Sequence, residues 1–389
     1  MNYYYRNTIV AYNNMSKNQS VVKSLGSAQH QSESPNKMAK LEEFIEANSH
    51  LPEQGSEQWL KDRLFTIGGS EMSVITGDNP YKNIRGLIEQ HIGTKTFKGN
   101  INTIWGSILE DLVVQILEGL WHARIFETGS LKGVVEGQKY SPDGLVYLSF
   151  WDMIILLEIK CAVRRIAGKS VPKMYLPQIY TGLDTIPLAD KAIFVDAMFR
   201  RCSLADHKLD NKNYDTEIHP KKPVPDPIAL HMVAVYSIGK MPPKKVYDPS
   251  LGVLDLGSCS TWRLEEILKM VKAGELERAF VRDMNDLLIV KEKVNNLIYG
   301  YCGIKIIGVL PLKLFKLLLK PVERIPGYVK KYEAKIREVI KTIRHLESVP
   351  EKWKKIELEK KVPGPKAKMI DAMAERMKAF MKKRKAGKI

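Results

Sequence analysis

Residues 141–160 read SPDGLVYLSFWDMIILLEIK, and this stretch decides the fold. Leu145–Leu148 and Met153–Lys160 are apolar runs of strand length, and the short connection between them predicts an antiparallel hairpin. Side chains alternate along a strand, so Glu158 and Lys160 share one face while Ile159 points into the core. Asp143 lies in the turn that opens the hairpin, between Pro142 and Gly144. Pairing of the two runs brings it beside Glu158. Two carboxylates aimed at one point repel unless a cation stands between them, and oxygen donors of this kind suit Mg²⁺ or Mn²⁺. A cation held there polarises a phosphate oxygen and acidifies a water, with Lys160 placed to orient that water or neutralise charge.

The neighbouring segments add to this trio. Trp105-Gly106, with Glu110 four residues on, opens an amphipathic helix over Ile104–Leu120 whose apolar face carries Leu109, Val113, Ile116 and Leu117. Glu110 falls close to that face. It reads either as a third carboxylate for the metal or as a first-turn glutamate favoured by the helix dipole. Gln178 lies on a helix expected over Val171–Leu183, either near the metal or as a surface amide. Upstream stand Trp59 and Arg63, then Gly68-Gly69-Ser70-Glu71, then Gly77-Asp78-Asn79-Pro80-Tyr81. The Arg63 guanidinium with the amides and hydroxyl of the Gly-Gly-Ser turn makes a phosphate pocket. The competing reading is an N-cap at Ser70 and a surface arginine.

Around this centre the chain divides by composition. Residues 1–37 are rich in Asn, Ser, Gln and Tyr and read as a disordered leader, with Met1 and Met38 both open as the working start. Residues 38–240 have mixed α/β texture, with further strands at Ala192–Met198 and Ala229–Ile238 and a polar surface loop at 207–227. Prolines and glycines mark a linker at 241–258. Residues 259–389 read as a helical, strongly basic region, with a helix from Trp262 to about Tyr299 presenting Leu264, Ile267, Leu268 and Val271, then helices interrupted by Pro311, Pro321, Pro326 and Pro350. The fold class expected is α/β: a mixed central sheet flanked by helices, with this helical region appended.

The net charge of +17 is unevenly spread: residues 301–389 hold 25 basic against 9 acidic side chains, whereas residues 1–300 are nearly balanced at 36 and 35. Such a basic stripe attracts polyanions, nucleic acid first and an acidic membrane surface second, unless it is a solvated tail. Cys161, Cys202, Cys259 and Cys302 show no C-x-x-C spacing, which excludes a zinc ribbon and a disulfide framework. No apolar run reaches the roughly 20 residues of a membrane span, and residues 1–20 lack a signal-peptide core. The expectation is a soluble, intracellular protein, with Lys382-Lys383-Arg384-Lys385 as a candidate nuclear address.

Seven segments in order, W-x3-R (59–63), GGSE (68–71), G-x-NPY (77–81), WG-x3-E (105–110), SPDG (141–144), EIKC (158–161) and the Gln178 helix, resemble the lambda-exonuclease family of PD-(D/E)XK nucleases, also described as YqaJ-like viral recombinases. The resemblance covers about residues 56–240 and implies a restriction-endonuclease-like core. It implies Glu110, Asp143, Glu158 and the carbonyl of Ile159 as ligands of Mg²⁺, Lys160 as the catalytic lysine and Gln178 as a supporting residue. Arg63, Ser70 and Ser141 would hold the 5′-phosphate of a DNA end. The implied activity is digestion of one strand of duplex DNA from that end, for a single-strand annealing partner. Homo-oligomers and, for a viral protein, the host nucleus or cytoplasm follow from the same likeness. Two other readings stay open: an endonuclease of the same superfamily, and a DNA-binding scaffold without catalysis, against which the intact Asp143, Glu158 and Lys160 speak.

Overall fold

The computed structural model describes residues 37–52, 56–63, 65–92, 100–239, 241–287 and 304–348. The expected leader up to residue 36, Cys302 and the basic segment beyond Ser348 lie outside the described residues. In chain order, helices α1 (Lys37–Asn48) and α2 (Glu57–Arg63) precede strand β1 (Ile67–Gly68) and helices α3 (Met72–Thr76), α4 (Ile84–His91) and α5 (Ile101–Trp121). Strands β2 (Ile125–Phe126), β3 (Leu131–Lys132), β4 (Gln138–Tyr140), β5 (Gly144–Leu148) and β6 (Met153–Lys160) follow. Then come α6 (Leu176–Thr185), β7 (Lys191–Arg201), β8 (Ala229–Ile238), β9 (Leu254–Asp255), α7 (Thr261–Lys272), β10 (Glu277–Val281), β11 (Ile304–Val322) and α8 (Glu333–Ser348).

The expected hairpin forms, with Gly144 opposite Leu157 and Leu148 opposite Met153. Asp152 closes its turn at φ 49, a left-handed conformation that aspartate tolerates. The central sheet runs β10-β8-β11-β7-β6-β5-β2, with β9 beside β11. Strands β6 and β7 are parallel, so the chain must cross over between them, and α6 is that crossover. Alternation along β6 builds two layers. Ile155, Leu157 and Ile159 pack with Ile104, Ile108 and Val113 of α5 and with Leu264 and Leu268 of α7. Ile154 and Leu156 pack with Tyr140, Phe194 and Ile179 of α6. Glu158 and Lys160 continue the second face. A third cluster joins Ile67, Met72, Leu87 and Ile88 to Ile336, Ile340 and Ile343 of α8.

The structure departs from the sequence reading after residue 240. The helix expected from Trp262 ends at Lys272, Gly274 turns the chain at φ 69, and β10 follows at Glu277–Val281; the rest of the expected helix, from residue 288, lies outside the described residues. Residues 304–322, expected as proline-broken helix, are the longest strand of the sheet, lying between β7 and β8. Pro311 is accommodated because its carbonyl accepts from Cys202 at 3.1 Å, one residue past the end of β7. There the missing N–H no longer interrupts a ladder. Gly308 sits at a bulge where a Cβ would meet the Leu254 carbonyl at 2.8 Å. The expected linker buries Val246, Tyr247 and Leu256 and contributes β9. The expected boundary at residue 240 therefore runs through one sheet.

Part of the basic surplus is consumed inside this fold. Lys313, fully buried, donates to the Asn211 carbonyl at 2.9 Å. Lys316 donates to the Ala167 carbonyl at 3.0 Å, and Lys320 meets Asp196 at 2.8 Å. Arg324 caps the C-terminal end of α6 through the carbonyls of Leu183, Ile186 and Pro187. The loop at 207–227 is anchored rather than free on the surface. His219 is buried, its Nδ1 3.0 Å from the Val163 carbonyl, and its Nε2 accepts from the Arg201 amide at 3.0 Å. Among the described residues Cys161, Cys202 and Cys259 are free thiols, and no helix is long and apolar enough to cross a membrane.

Candidate active site

Because Gly144 pairs with Leu157, Asp143 arrives at the end of β6. Its Oδ2 accepts from the Ile159 amide at 2.7 Å and lies 3.3 Å from Lys160 Nζ. The same ammonium is 2.5 Å from Glu158 Oε1 and donates to the Ile159 carbonyl at 2.7 Å. Three oxygens from three residues thus surround one position, and the lysine's own charge fills it. Glu158 is fully buried, and although Oε1 touches the ammonium, neither oxygen receives an aligned hydrogen bond. A buried carboxylate left in this way is costly, and the arrangement favours a stronger cation.

The electrostatics point the same way. Burial, then the Asp143 charge, pushes the Glu110 carboxyl up to about 7. Burial also raises Glu158, to about 8, with Lys160 opposing the shift and Asp143 adding to it. Burial disfavours the charged form of Lys160, but Asp143, Glu158 and Glu110 outweigh it and hold the ammonium well above the ordinary lysine range. Three carboxylates and a backbone carbonyl are hard oxygen donors of the kind a Mg²⁺ ion takes. Among the described residues no three acidic, histidine or cysteine side chains converge into a closed metal cage. Glu110 acts on Asp143 and Lys160 through space from the wall of the same cleft, so the near donors are Asp143, Glu158 and Ile159.

That cleft has a volume of about 760 Å³. Arg63, Ser70, Glu110, Ser141, Asp143, Lys160 and Gln178 all line it, while Glu158 is buried behind them. Gln178 stands in the first turn of α6 and makes no hydrogen bond to the trio. Arg63 lies 4.5 Å over the Trp59 ring, and Trp59 Nε1 donates to Ser141 Oγ at 3.2 Å. A Cβ on Gly69 would meet the Tyr140 ring at 2.4 Å, so this close approach needs glycine. The 3-10 turn Gly69–Glu71 is capped by Gly68, not Ser70, leaving the Ser70 hydroxyl exposed to the cleft. Behind it the buried Glu71 accepts from the Gly68 amide at 2.9 Å and meets His91 at 3.1 Å.

Two further residues escaped the sequence reading. Arg165 lines the cleft and is held by Asp196, with both contacts at 2.6 Å. Asp196 lies opposite Lys160 across β6 and β7. The only signal was a lone carboxylate within the apolar run Ala192–Met198. Tyr140, immediately before SPDG, is buried beside Glu158. Burial and then the Glu158 charge raise its pKa well above the usual phenol value.

Comparison with known proteins bears on residues 58–185, which match the YqaJ-like viral recombinase domain. A protein of African swine fever virus is 30% identical over 227 residues in its Tick/Malawi isolate, covering 51% of this chain and 64% of that protein. Its counterpart from the Badajoz strain is 29% identical over the same shares. The chain therefore spans just under two thirds of the length of these viral relatives. Among solved structures, the complex of LHK-Exo with dAMP aligns with a TM-score of 0.37 and 14% identity, over 77% of this chain and 97% of that one. LHK-Exo itself, an alkaline exonuclease from Laribacter hongkongensis, aligns at 0.31 and 15%, over 75% and 100%.

Proposed function

We propose that this chain, whose residues 58–185 match the YqaJ-like viral recombinase domain, is a divalent-metal-dependent deoxyribonuclease that digests duplex DNA from an end. One observation carries the reading: the position bounded by Asp143 Oδ2, Glu158 Oε1 and the Ile159 carbonyl, filled by the chain's own ammonium group. Those residues would hold Mg²⁺ or Mn²⁺, with Glu110 as the third carboxylate. When bound, the ion supplies Lewis-acid polarisation of a phosphate oxygen and lowers the pKa of a water.

The chain's own residues do the rest. Lys160, kept charged by its carboxylate neighbours, neutralises the extra negative charge on the phosphate under attack and, with Gln178, orients the water. Arg63 offers a planar fork of donors suited to a terminal phosphate, and the Ser70 and Ser141 hydroxyls add to it. Trp59 fixes both sides of that pocket, stacking on Arg63 and bonding Ser141. Seating a 5′-phosphate there while the adjacent linkage reaches Asp143 gives cutting from the 5′ end. The product strand left behind is single, which suits an annealing partner. Residues 351–389 hold 14 basic against 5 acidic side chains and would add sequence-independent attraction to the duplex.

Digestion of linear and of covalently closed duplex, each with Mg²⁺ or with chelator, tests the reading. Linear duplex is expected to disappear only with Mg²⁺, faster when 5′-phosphorylated, while closed circles survive. Circles cut at a comparable rate would replace end-directed by internal cleavage. Binding without cleavage of either form would leave a scaffold.

A further inference from the structure

Tyr81 stands at the cleft with 66% of its surface exposed, yet its backbone is tightly braced. Gly77, at φ 85, ends α3 and redirects the chain. Asn79 then organises the turn, its Oδ1 accepting from the amides of Tyr81 and Lys82 at 2.9 Å each. The Asn79 amide donates to the Ser73 carbonyl at 2.9 Å, and Nδ2 donates to Ser73 Oγ at 3.0 Å. Ser73 Oγ reaches back to the Ser70 carbonyl at 3.5 Å. The backbone that carries the tyrosine and the turn that carries the phosphate-pocket serine are therefore tied together through one short helix.

A large aromatic ring in solvent on a braced turn presents a flat π face in the same cleft as the phosphate site. Arg63, Lys139, Lys160 and Arg164 line the same cleft and make it attractive to phosphate. A nucleotide has these two features, a π face and a phosphate, and aromatic stacking tolerates every base. Inside a duplex both faces of each base are covered by neighbours; only at an end is one face free. We propose that Tyr81 is the stacking platform for the base of the terminal nucleotide, which makes the cleft selective for DNA ends over internal sites. This rests on the nuclease reading above. Stacking of this kind changes affinity by about five- to a hundredfold per base.

The test is a cycle of ring against base. Lys160→Ala protein, expected to bind without cutting, is titrated with 5′-phosphorylated duplex whose terminal nucleotide is either normal or abasic. The normal end is expected to bind about tenfold tighter. Adding Tyr81→Ala should remove that preference, and Tyr81→Phe should keep it. Because Tyr81 is exposed, neither change touches the core. Equal preference in the Tyr81→Ala protein, or a Tyr81→Phe protein as impaired as Tyr81→Ala, would overturn the assignment. If wild-type protein neither binds nor cuts linear duplex, the nuclease reading itself fails and the platform with it. If it does both, the cycle judges the platform alone.

Discussion

Replacing Glu110 by glutamine should stabilise the metal-free protein, and by an amount that depends on pH. In the fold its carboxyl is raised from 4.5 to about 7 by burial and by the nearby Asp143 charge. The folded chain therefore holds its proton to higher pH than the unfolded chain does. The stability this provides is complete below about pH 4.5 and is lost as pH rises through about 7. A shift of this size corresponds to about 3.4 kcal/mol at most. Glu110 keeps some contact with solvent, whose screening leaves roughly 2–3 kcal/mol. Glu110→Gln is isosteric and cannot ionise, so in chelator it should unfold in urea with about 2–3 kcal/mol more free energy than wild type at pH 8.5. At pH 4.5 the two should agree to within about 0.5 kcal/mol. Excess Mg²⁺ should return about 2.7 kcal/mol to wild type at a hundredfold excess over its Kd and distinctly less to the variant. A variant no more stable than wild type at pH 8.5, or equally stabilised at both pH values, would refute the electrostatic account of this cleft.

Other outcomes follow from the same contacts. Arg63→Ala should erase the preference for 5′-phosphate over 5′-hydroxyl ends, a loss of about ten- to a hundredfold for a charge-assisted bidentate contact; a preference that survives in a competition digest would remove Arg63 from the end pocket. Arg324→Ala takes the donor from the Leu183 and Pro187 carbonyls and one of two from Ile186, which keeps the Ala189 amide at 3.1 Å, and should cost about 2–4 kcal/mol in urea unfolding. A cost under about 0.5 kcal/mol would show that water replaces the cap freely. Lys313 is buried without a carboxylate partner, its pKa lowered by burial. Lys313→Met should change stability by less than about 1 kcal/mol or increase it, and leave DNA affinity untouched. A tenfold loss of affinity would return that lysine to the DNA-binding surface.

What could be read from the sequence was local. The hairpin was legible because Gly144–Leu148 and Met153–Lys160 are adjacent in the chain and their apolar runs are contiguous. The alternation that puts Glu158 and Lys160 on one face needs no tertiary information. Helix α5, with Glu110, was legible from its period. Strand β11 was not. Both of its faces are covered, so Ile304–Val322 shows no alternation, and Pro311, Lys313 and Lys316 resemble breaks and a polar face. Their partners, Cys202, Asn211 and Ala167, lie about a hundred residues away or more. Arg165 was missed for the same reason, since it lies in the connection after β6 and Asp196 holds it from β7. Charge counting placed the surplus in residues 301–389 but could not show that Lys313, Lys320 and Arg324 bond inside the fold. Tyr81 belonged to a recognised segment, but only the Asn79 and Ser73 hydrogen bonds reveal that the backbone carrying its exposed ring is braced.

On the proposed reading, Asp143, Glu158 and the Ile159 carbonyl form a cation position that Lys160 fills when no metal is there. Calorimetric titration of Mn²⁺ into wild-type, Lys160→Ala and Glu158→Gln protein, with linear-duplex cleavage measured on the same samples, tests it most directly. Lys160→Ala should bind Mn²⁺ at least as tightly as wild type yet not cut, because the competing ammonium and the catalytic group are one side chain. Glu158→Gln should lose both binding and cutting. Undiminished cleavage by Lys160→Ala, or Mn²⁺ binding indifferent to Glu158→Gln, would contradict it.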